Sequence, residues 1–305
     1  MNNTIIQVQH LVIAFGDFKA VNDISFEVAR GEIFGFLGAN GAGKTTTIRT
    51  LCGILNPTSG KVLVNGTDVA ANISVLKPHI GYMSQKFTLY PDLTVRENMD
   101  IAGSLYELSA SQIKKRTEEL FDFIGLTNIP KGPVRNLSGG TKQMIALAAS
   151  ILHDPELIFL DEPTAGTSPQ TRQAFWTLIR QLSTQGKTIF VTTHYMDEAE
   201  YCHRIVLMER GRILATDTPA NLKKMYFPTR PVELSFKRNT QQDILKQIRR
   251  LSFGEVSVFG TKLRIDVSDL PAFNTFCQNH VDDFTHYEVE PTLDDVFLKA
   301  IVGAK

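Results

Sequence analysis

The sequence predicts an α/β protein with a mainly parallel central sheet, followed by a smaller α+β unit. Apolar strands alternate with helical segments between residues 157 and 208, which is the order that produces a parallel sheet. After Pro228 the pattern restarts as strand, helix, strand, strand, helix, strand, with one further helix. The 305 residues suffice for one large and one small domain. We therefore predict domains at residues 1–227 and 228–305.

Each part of the chain has its own periodicity. Residues 5–66 contain short β segments split by Gly and Asp turns, which predicts an antiparallel β subdomain. Apolar residues spaced by three or four then predict a helical subdomain at about residues 88–152. The βαββαβ order of the second domain predicts a ferredoxin-like unit. The later predicted elements are strands at 157–160, 188–193, 205–208, 232–236, 255–259, 262–267 and 286–289, and helices at 170–183, 196–202, 241–251, 270–280 and 293–302.

Composition narrows the classes of partner and location. Lys plus Arg (32) balance Asp plus Glu (32), so no overall positive field favours nucleic acid, and we expect no nucleic-acid partner. No apolar run reaches the ~18 residues of a spanning helix. The first residues lack the layout of a secretory signal, so we expect a cytoplasmic protein with reduced cysteines at Cys52, Cys202 and Cys277.

A glycine-rich loop lies between a predicted strand and a predicted helix. Its residues, Gly38-Ala39-Asn40-Gly41-Ala42-Gly43-Lys44-Thr45, match the P-loop pattern GxxxxGKT. Such a loop folds closely around phosphate, and the helix adds its positive N-terminal end. Lys44 is placed for the β- and γ-phosphates of a nucleotide, and the Thr45 hydroxyl for Mg²⁺. The predicted nucleotide-binding residues of this loop are Asn40, Gly41, Gly43, Lys44, Thr45 and Thr46.

Two acidic residues follow a buried strand much further along the chain. The run Leu157-Ile158-Phe159-Leu160 leads into Asp161 and Glu162, at the end of the strand where open α/β sheets bind their ligands. Asp161 is suited to hold Mg²⁺ through water. Glu162 can orient and deprotonate the water that attacks the γ-phosphate, a role worth ~10²–10⁴ in rate. Together with the P-loop, this pair predicts a nucleotide-hydrolysing site.

Three further motifs carry a resemblance to the ATP-binding-cassette (ABC) family. Leu137-Ser138-Gly139-Gly140-Thr141-Lys142-Gln143 heads a predicted helix and is similar to the family signature LSGGQ. Gln85 matches the family's Q-loop and His194 its switch histidine. The resemblance covers roughly residues 5–225 and implies a P-loop NTPase cassette that binds ATP and Mg²⁺.

The resemblance also implies roles and partners. Ser138, Gly139 and Gly140 would hold the γ-phosphate of an ATP bound to a second chain, so a homodimer or heterodimer is expected. His194 would contact the γ-phosphate. Gln85 would sense Mg²⁺ and water beside a membrane-embedded permease subunit. Phe15 falls where the family stacks an aromatic ring on adenine, and a core position for this ring stays open as an alternative.

Strings such as His194–Glu200 and Glu290–Phe297 look like those of the ATP-binding subunits of bacterial multidrug or antibiotic exporters. They imply a subunit on the inner face of the membrane that powers export of a drug or another hydrophobic small molecule. Two positions depart from the family pattern: Thr141 replaces the signature Gln, and Ser168 stands where Asp is expected. The alternatives are a soluble ABC ATPase and a nucleotide-dependent regulator with little turnover.

Overall fold

The protein is described by a computed structural model, which covers residues 3–85, 89–126, 128, 131–237 and 240–303. The chain divides between Pro219 and Ala220 into two compact parts, here called the larger unit and the smaller unit. Among the described residues, no helix has both the length and the hydropathy that crossing a bilayer requires.

The strands are β1 (Thr4–Phe15), β2 (Phe18–Ala29), β3 (Ile33–Gly38), β4 (Ser59–Val64), β5 (Thr67–Asp68), β6 (Ile80–Met83), β7 (Leu157–Asp161), β8 (Thr188–Thr193), β9 (Arg204–Glu209), β10 (Arg212–Asp217), β11 (Val232–Phe236), β12 (Gly254–Phe259), β13 (Lys262–Val267) and β14 (Phe284–Glu288). The α-helices are α1 (Lys44–Leu51), α2 (Ile73–Leu76), α3 (Val95–Ser104), α4 (Ala110–Phe123), α5 (Gly139–Ser150), α6 (Pro169–Thr184), α7 (Pro219–Tyr226), α8 (Gln241–Leu251), α9 (Leu270–Asn279) and α10 (Leu293–Gly303). Short 3₁₀ helices lie at Lys77–His79, Val134–Asn136 and Met196–Tyr201.

The central sheet of the larger unit has the spatial order β10-β9-β3-β8-β7-β6. Neighbouring strands from β9 to β6 run parallel, and β10 pairs antiparallel with β9. Every residue of β3, β7 and β8 is buried, and ring pairs such as Phe36 and Phe190, 5.4 Å apart, fill the core. The predicted parallel core is confirmed. The carboxyl ends of β3, β7 and β8 lead into the three segments that carry the chemistry of the predicted site.

The antiparallel sheet has the order β2-β1-β4-β5. Its first two strands are 12 residues each, and the prediction of short segments split by turns is wrong here. Residues such as Asp23, with φ of 56°, mark irregularities inside a continuous strand instead of chain reversals. Strands β6 and β10 were not predicted either. Residues 196–201 form a 3₁₀ helix where the sequence predicted an ordinary helix.

The helical subdomain contains α3, α4 and α5, in the region predicted for it. Capping boxes start α3 at Thr94 with Glu97 and α4 at Ser109 with Gln112, so both helices begin where side chains satisfy the free backbone N–H groups. A Cβ at Gly103 would lie 2.4 Å from Ile113, which lets α3 and α4 approach closely.

The smaller unit contains one antiparallel sheet in the order β12-β13-β11-β14. Ile244 and Ile248 of α8 and Phe273 and Phe276 of α9 join its apolar core. This is the ferredoxin-like order expected from the sequence. The division of the chain falls after Pro219, the first residue of α7, whereas the sequence placed the boundary at 227/228. The Tyr226 carbonyl at the end of α7 accepts a hydrogen bond of 2.8 Å from Lys299, within the smaller unit.

Glu233, in β11 of this sheet, has a buried carboxylate. It accepts hydrogen bonds from Lys262 (2.6 Å), from Arg264 (3.0 Å) and from the Tyr287 hydroxyl. Burial alone would raise the pKa of Glu233, but the hydrogen bonds from Lys262, Tyr287 and Arg264 outweigh it and lower the pKa to about 2. Because the folded pKa is depressed, Glu233 stabilises the fold above its unfolded pKa near 4.5, and this contribution is lost as pH falls towards 2.

We expect Glu233→Gln to destabilise the smaller unit at pH 7 by about 3 kcal/mol, because it removes one partner of a buried ion pair. The measurement is urea unfolding at pH 7 and at pH 3, followed by a probe in the smaller unit. The difference from the unmodified protein should shrink at pH 3. Glu255→Gln, at an exposed position of the same sheet, is the control. An equal difference at both pH values would contradict the assigned role of the charge.

Candidate functional site

Two glycines of the glycine-rich loop, Gly38 and Gly43, leave no room for a side chain. A Cβ at Gly38 would lie 2.2 Å from the Met208 carbonyl oxygen, and one at Gly43 would lie 2.5 Å from that of Ala20. Gly43 also has φ of 112°, in the left-handed region. Since Gly43 precedes α1 and has no capping side chain, the first N–H groups of α1 remain free to bind an anion.

Lys44 is buried inside this loop. Its Nζ donates hydrogen bonds to the carbonyls of Gly38 (2.8 Å) and Ala39 (3.1 Å) and lies 3.2 Å from Glu162 Oε1. The ammonium group thus joins the P-loop to the acidic pair. Of the other predicted loop residues, Asn40 and Gly41 are exposed and Thr45 and Thr46 half-buried.

Asp161 lies opposite the P-loop helix. Its Oδ1 accepts hydrogen bonds from Thr45 Oγ1 (3.1 Å) and Thr192 Oγ1 (2.7 Å), whereas its buried Oδ2 has no partner among the described residues. Burial raises the pKa of Asp161, while the bonds from Thr192 and Thr45 oppose this rise. A carboxylate oxygen without a partner beside a threonine hydroxyl suits Mg²⁺, which prefers oxygen ligands.

Thr45 and Asp161 are too few to hold a metal ion by themselves. Among the described residues, no group of three or more His, Cys, Asp or Glu side chains could hold a metal ion alone. Mg²⁺ is typically held by one or two carboxylates, with phosphates and water completing its shell. The oxygen atoms of Thr45 and Asp161 therefore fit this ion only together with a bound nucleotide.

Glu162 brings three predicted residues together. Its Oε2 accepts a hydrogen bond from Gln85 Nε2 (3.0 Å) and lies 3.2 Å from His194 Nδ1, while Oε1 contacts Lys44. The backbone of Glu162 is left-handed, with φ of 47°, and its N–H donates to the carbonyl and the hydroxyl of Thr192. All four side chains predicted to be catalytic therefore meet at one carboxylate.

Thr192 is a site residue that the sequence analysis missed. It is fully buried, its hydroxyl donates to Asp161, and it accepts from the Glu162 N–H. Its position in β8 is directly opposite Asp161 in the pairing with β7. Only the strand register reveals this, because the two residues are far apart in the chain.

The signature residues lie at the start of α5. Ser138 caps this helix: its Oγ accepts from the Thr141 N–H (3.1 Å) and is 2.8 Å from Thr141 Oγ1. A Cβ at Gly139 would meet no atom within 4 Å, whereas one at Gly140 would lie 2.9 Å from Thr171 Oγ1, so this end of the helix is open on the side of Gly139. Among the described contacts, none joins Ser138, Gly139 or Gly140 to the P-loop.

The structure also shows the positions of Ser168 and Phe15. Ser168 caps α6 and its Oγ accepts from the Thr171 N–H (3.2 Å), so the loop without the expected Asp still starts its helix properly. Phe15 is 54% exposed at the end of β1, and the core alternative for this ring is wrong. Stacking of Phe15 on adenine stays a prediction.

The P-loop on β3 and the acidic pair on β7 of a parallel sheet define a P-loop nucleotide-binding protein. Residues 21–165 match the family model described as "ABC transporter". The chain is 36% identical over 300 residues to the Nod factor export ATP-binding protein I of Rhizobium sp. (strain N33). This match covers 98% of the chain and 97% of that protein. The chain therefore belongs to the ABC transporter family.

Two further comparisons agree with this family. The chain is 46% identical over 220 residues to the probable multidrug ABC transporter ATP-binding protein YbhF of Escherichia coli (strain K12). That match covers 72% of this chain but only 38% of the relative. A solved structure of the ATP-binding subunit of an ABC transporter superposes with a TM-score of 0.66 and 28% identity, covering 73% of this chain and 93% of that one. The predicted cassette fold is confirmed.

Proposed function

We propose that this chain binds and hydrolyses ATP and, as one of two such subunits, powers export through a separate membrane subunit. The observation that carries the proposal is the meeting of Lys44, Gln85 and His194 at the Glu162 carboxylate, beside Asp161 and the P-loop. This arrangement combines phosphate binding with a base for water.

Nucleotide binding is assigned to the P-loop and its lysine. The free N–H groups at the start of α1 would face the phosphates, and Lys44 would exchange its contact with Glu162 for one with the γ-phosphate. The exposed ring of Phe15 would stack on adenine. Thr45 and Asp161 would hold Mg²⁺, which neutralises phosphate charge when it is bound.

Glu162 is assigned as the general base. Once Lys44 has moved to the phosphate, the Glu162 carboxylate is free to accept a proton from water. The water oxygen forms a bond to the γ-phosphorus as the bond to the bridging oxygen of ADP breaks. Gln85 and His194, both already in contact with Glu162, would orient the water and the γ-phosphate.

A second subunit would complete each site. The N-terminal end of α5, with Ser138, Gly139 and Gly140, is a second place for a γ-phosphate, but among the described residues of one chain it makes no contact with the P-loop. Two chains facing each other would bring each signature to the other's nucleotide. The dimer is formed by two copies of this chain or by this chain and a related one.

The membrane subunit is expected to contact a groove near Gln85. A cavity of about 540 Å³ is lined by Tyr82 and Leu89, which lie on either side of Gln85 in the chain, and by Tyr90, Ile101 and Leu105, among others. Tyr90 is 53% and Leu105 76% exposed. These apolar surfaces suit a short helix of a permease at the inner face of the membrane. The names of the relatives differ in cargo, so the export of a drug or another hydrophobic small molecule rests on the subfamily resemblance.

Phosphate release by the purified chain in Mg-ATP, with and without its membrane subunit, tests the proposed function. Hydrolysis that the membrane subunit stimulates supports it. ATP binding without phosphate release in either condition would instead favour a nucleotide-dependent regulator. Hydrolysis stimulated by nucleic acid and not by the membrane subunit would favour the soluble ATPase.

We expect Ser168→Asp to raise turnover several-fold. Asp caps a helix as well as Ser does, so α6 should keep its start, while the carboxylate restores the charge found in the family at this loop. The measurement is steady-state phosphate release. Ser109→Asp changes another helix cap, at α4, and is the control expected to leave turnover unchanged. Unchanged or lower turnover in Ser168→Asp would show that this loop works without the acidic residue.

A further inference from the structure

A further buried carboxylate lies next to the site, on an element that does not contact nucleotide in the proposed function. Glu198 belongs to the 3₁₀ helix Met196–Tyr201 and is 0% exposed. One carboxylate oxygen accepts a hydrogen bond from the Thr164 hydroxyl, and the other accepts one of 2.6 Å from Thr193. A buried charge is costly unless it is fully paired, so these partners need an explanation.

The two threonines flank the residues that meet at the site. Thr164 is two residues after Glu162, and Thr193 immediately precedes His194. The Thr193 hydroxyl donates to Glu198 and also accepts from the Tyr195 N–H (3.0 Å), which fixes the backbone on both sides of His194. Glu198 thus holds the two segments whose side chains lie 3.2 Å apart at Glu162 and His194.

A third segment reaches the same carboxylate. Arg172 of α6 places its Nε 3.3 Å from Glu198, and its guanidinium lies over the Tyr195 ring at 3.9 Å. The helix that carries Arg172 begins just after Ser168, the residue that departs from the family pattern. The loop at Ser168 and the segment at His194 are therefore linked through one ion pair.

We propose that Glu198 is a positioning residue that sets the geometry between Glu162 and His194 and couples both to the start of α6. This inference rests on the proposed function, because it assigns Glu198 a part in ATP hydrolysis. In this role Glu198 acts through its contacts with Thr164, Thr193 and Arg172.

The test compares Glu198→Gln with a matched control in the full chain. Gln keeps the shape but replaces one carboxylate oxygen by an NH2 group that cannot accept, and since the two threonines bond to different oxygens, one of them loses its acceptor. We expect turnover to fall roughly 10-fold with unchanged ATP affinity, since small displacements of reacting groups slow catalysis strongly. Asp197→Asn alters the neighbouring carboxylate, which is exposed and lies 3.4 Å from the same Arg172, and should match the unmodified protein. Loss of ATP affinity together with turnover would overturn the assignment.

A double-mutant cycle separates positioning from a general structural defect. In a His194→Ala background, Glu198→Gln should lower single-turnover phosphate release by less than about 3-fold, because one of the two groups whose relative position it sets is already gone. An equal fold-decrease in phosphate release with and without His194 would contradict the proposal.

Thr164→Val, which removes one donor and keeps the volume, is the second variant should Glu198→Gln fail to fold. Several-fold lower turnover is expected for it, and unchanged turnover would count against the proposal.

Amide hydrogen exchange in nucleotide-free protein gives a readout that does not need hydrolysis. Glu198→Gln should speed exchange at Tyr195, whose N–H donates to Thr193, whereas Asp197→Asn should not. If the unmodified chain releases no phosphate, the proposed function fails, but faster exchange would still show that Glu198 orders the His194 segment. Unchanged exchange at Tyr195 would overturn the positioning role, whatever the activity.

Discussion

Glu162→Gln should lower ATP hydrolysis by roughly 10²–10⁴ while ATP binding is retained, because the amide cannot accept a proton from water. The Glu162 carboxylate is 6% exposed and contacts Lys44, Gln85 and His194, so no other described acid occupies the same position. The substitution also removes a negative charge that competes with the γ-phosphate for Lys44. ATP affinity should therefore be equal to or higher than that of the unmodified protein.

Phosphate release under saturating Mg-ATP measures this effect, and a binding titration with ATP checks the affinity. Glu156→Gln serves as the control, since Glu156 is exposed and pairs only with Arg30 among the described ion pairs, at 3.3 Å. A Glu162→Gln protein that hydrolyses ATP at the normal rate would rule out Glu162 as the base.

Lys44→Ala should have the second largest effect, on ATP affinity. Lys44 is 4% exposed and its ammonium group lies among the carbonyls of the P-loop, where a phosphate would take its hydrogen bonds. A hydrogen bond to a charged group contributes about 1.5–3 kcal/mol, so Kd should rise roughly 10- to 100-fold. Isothermal titration with Mg-ATP measures the change directly.

Lys187→Ala is the matched control for Lys44→Ala. Lys187 pairs with Asp154 at 2.8 Å and precedes β8, at the opposite end of this strand from His194. Its removal should leave ATP affinity unchanged. Equal losses in the two variants, or an unchanged Kd for Lys44→Ala, would mean that the P-loop lysine does not contact phosphate.

Local sequence patterns predicted those parts of the site that lie next to each other in the chain. The Gly38–Thr45 loop and the Asp161–Glu162 pair were found because glycines, a lysine and acids at strand ends have distinct chemistry. The buried strands β7 and β8 were recognised from their apolar runs. The family resemblance then identified Gln85 and His194, since a single Gln or His does not by itself indicate a functional role.

Contacts that depend on strand register or on helix packing could not be predicted in this way. Thr192 becomes a partner of Asp161 only because β7 and β8 pair in one register. Glu198 is buried because Thr164, Thr193 and Arg172 converge from three segments. In β2, Asp23 suggested a turn, but the pairing with β1 absorbs it as an irregularity within the strand.

A nucleotide site shared between two subunits predicts the oligomeric mass of the Glu162→Gln protein in Mg-ATP. If two subunits share each site, hydrolysis should no longer separate them in this variant, and ATP should hold two chains together between each P-loop and the opposite Ser138 signature. Light scattering coupled to size exclusion should give the mass of two chains with Mg-ATP and of one chain without nucleotide. A single-chain mass at saturating Mg-ATP would contradict a site shared between two subunits.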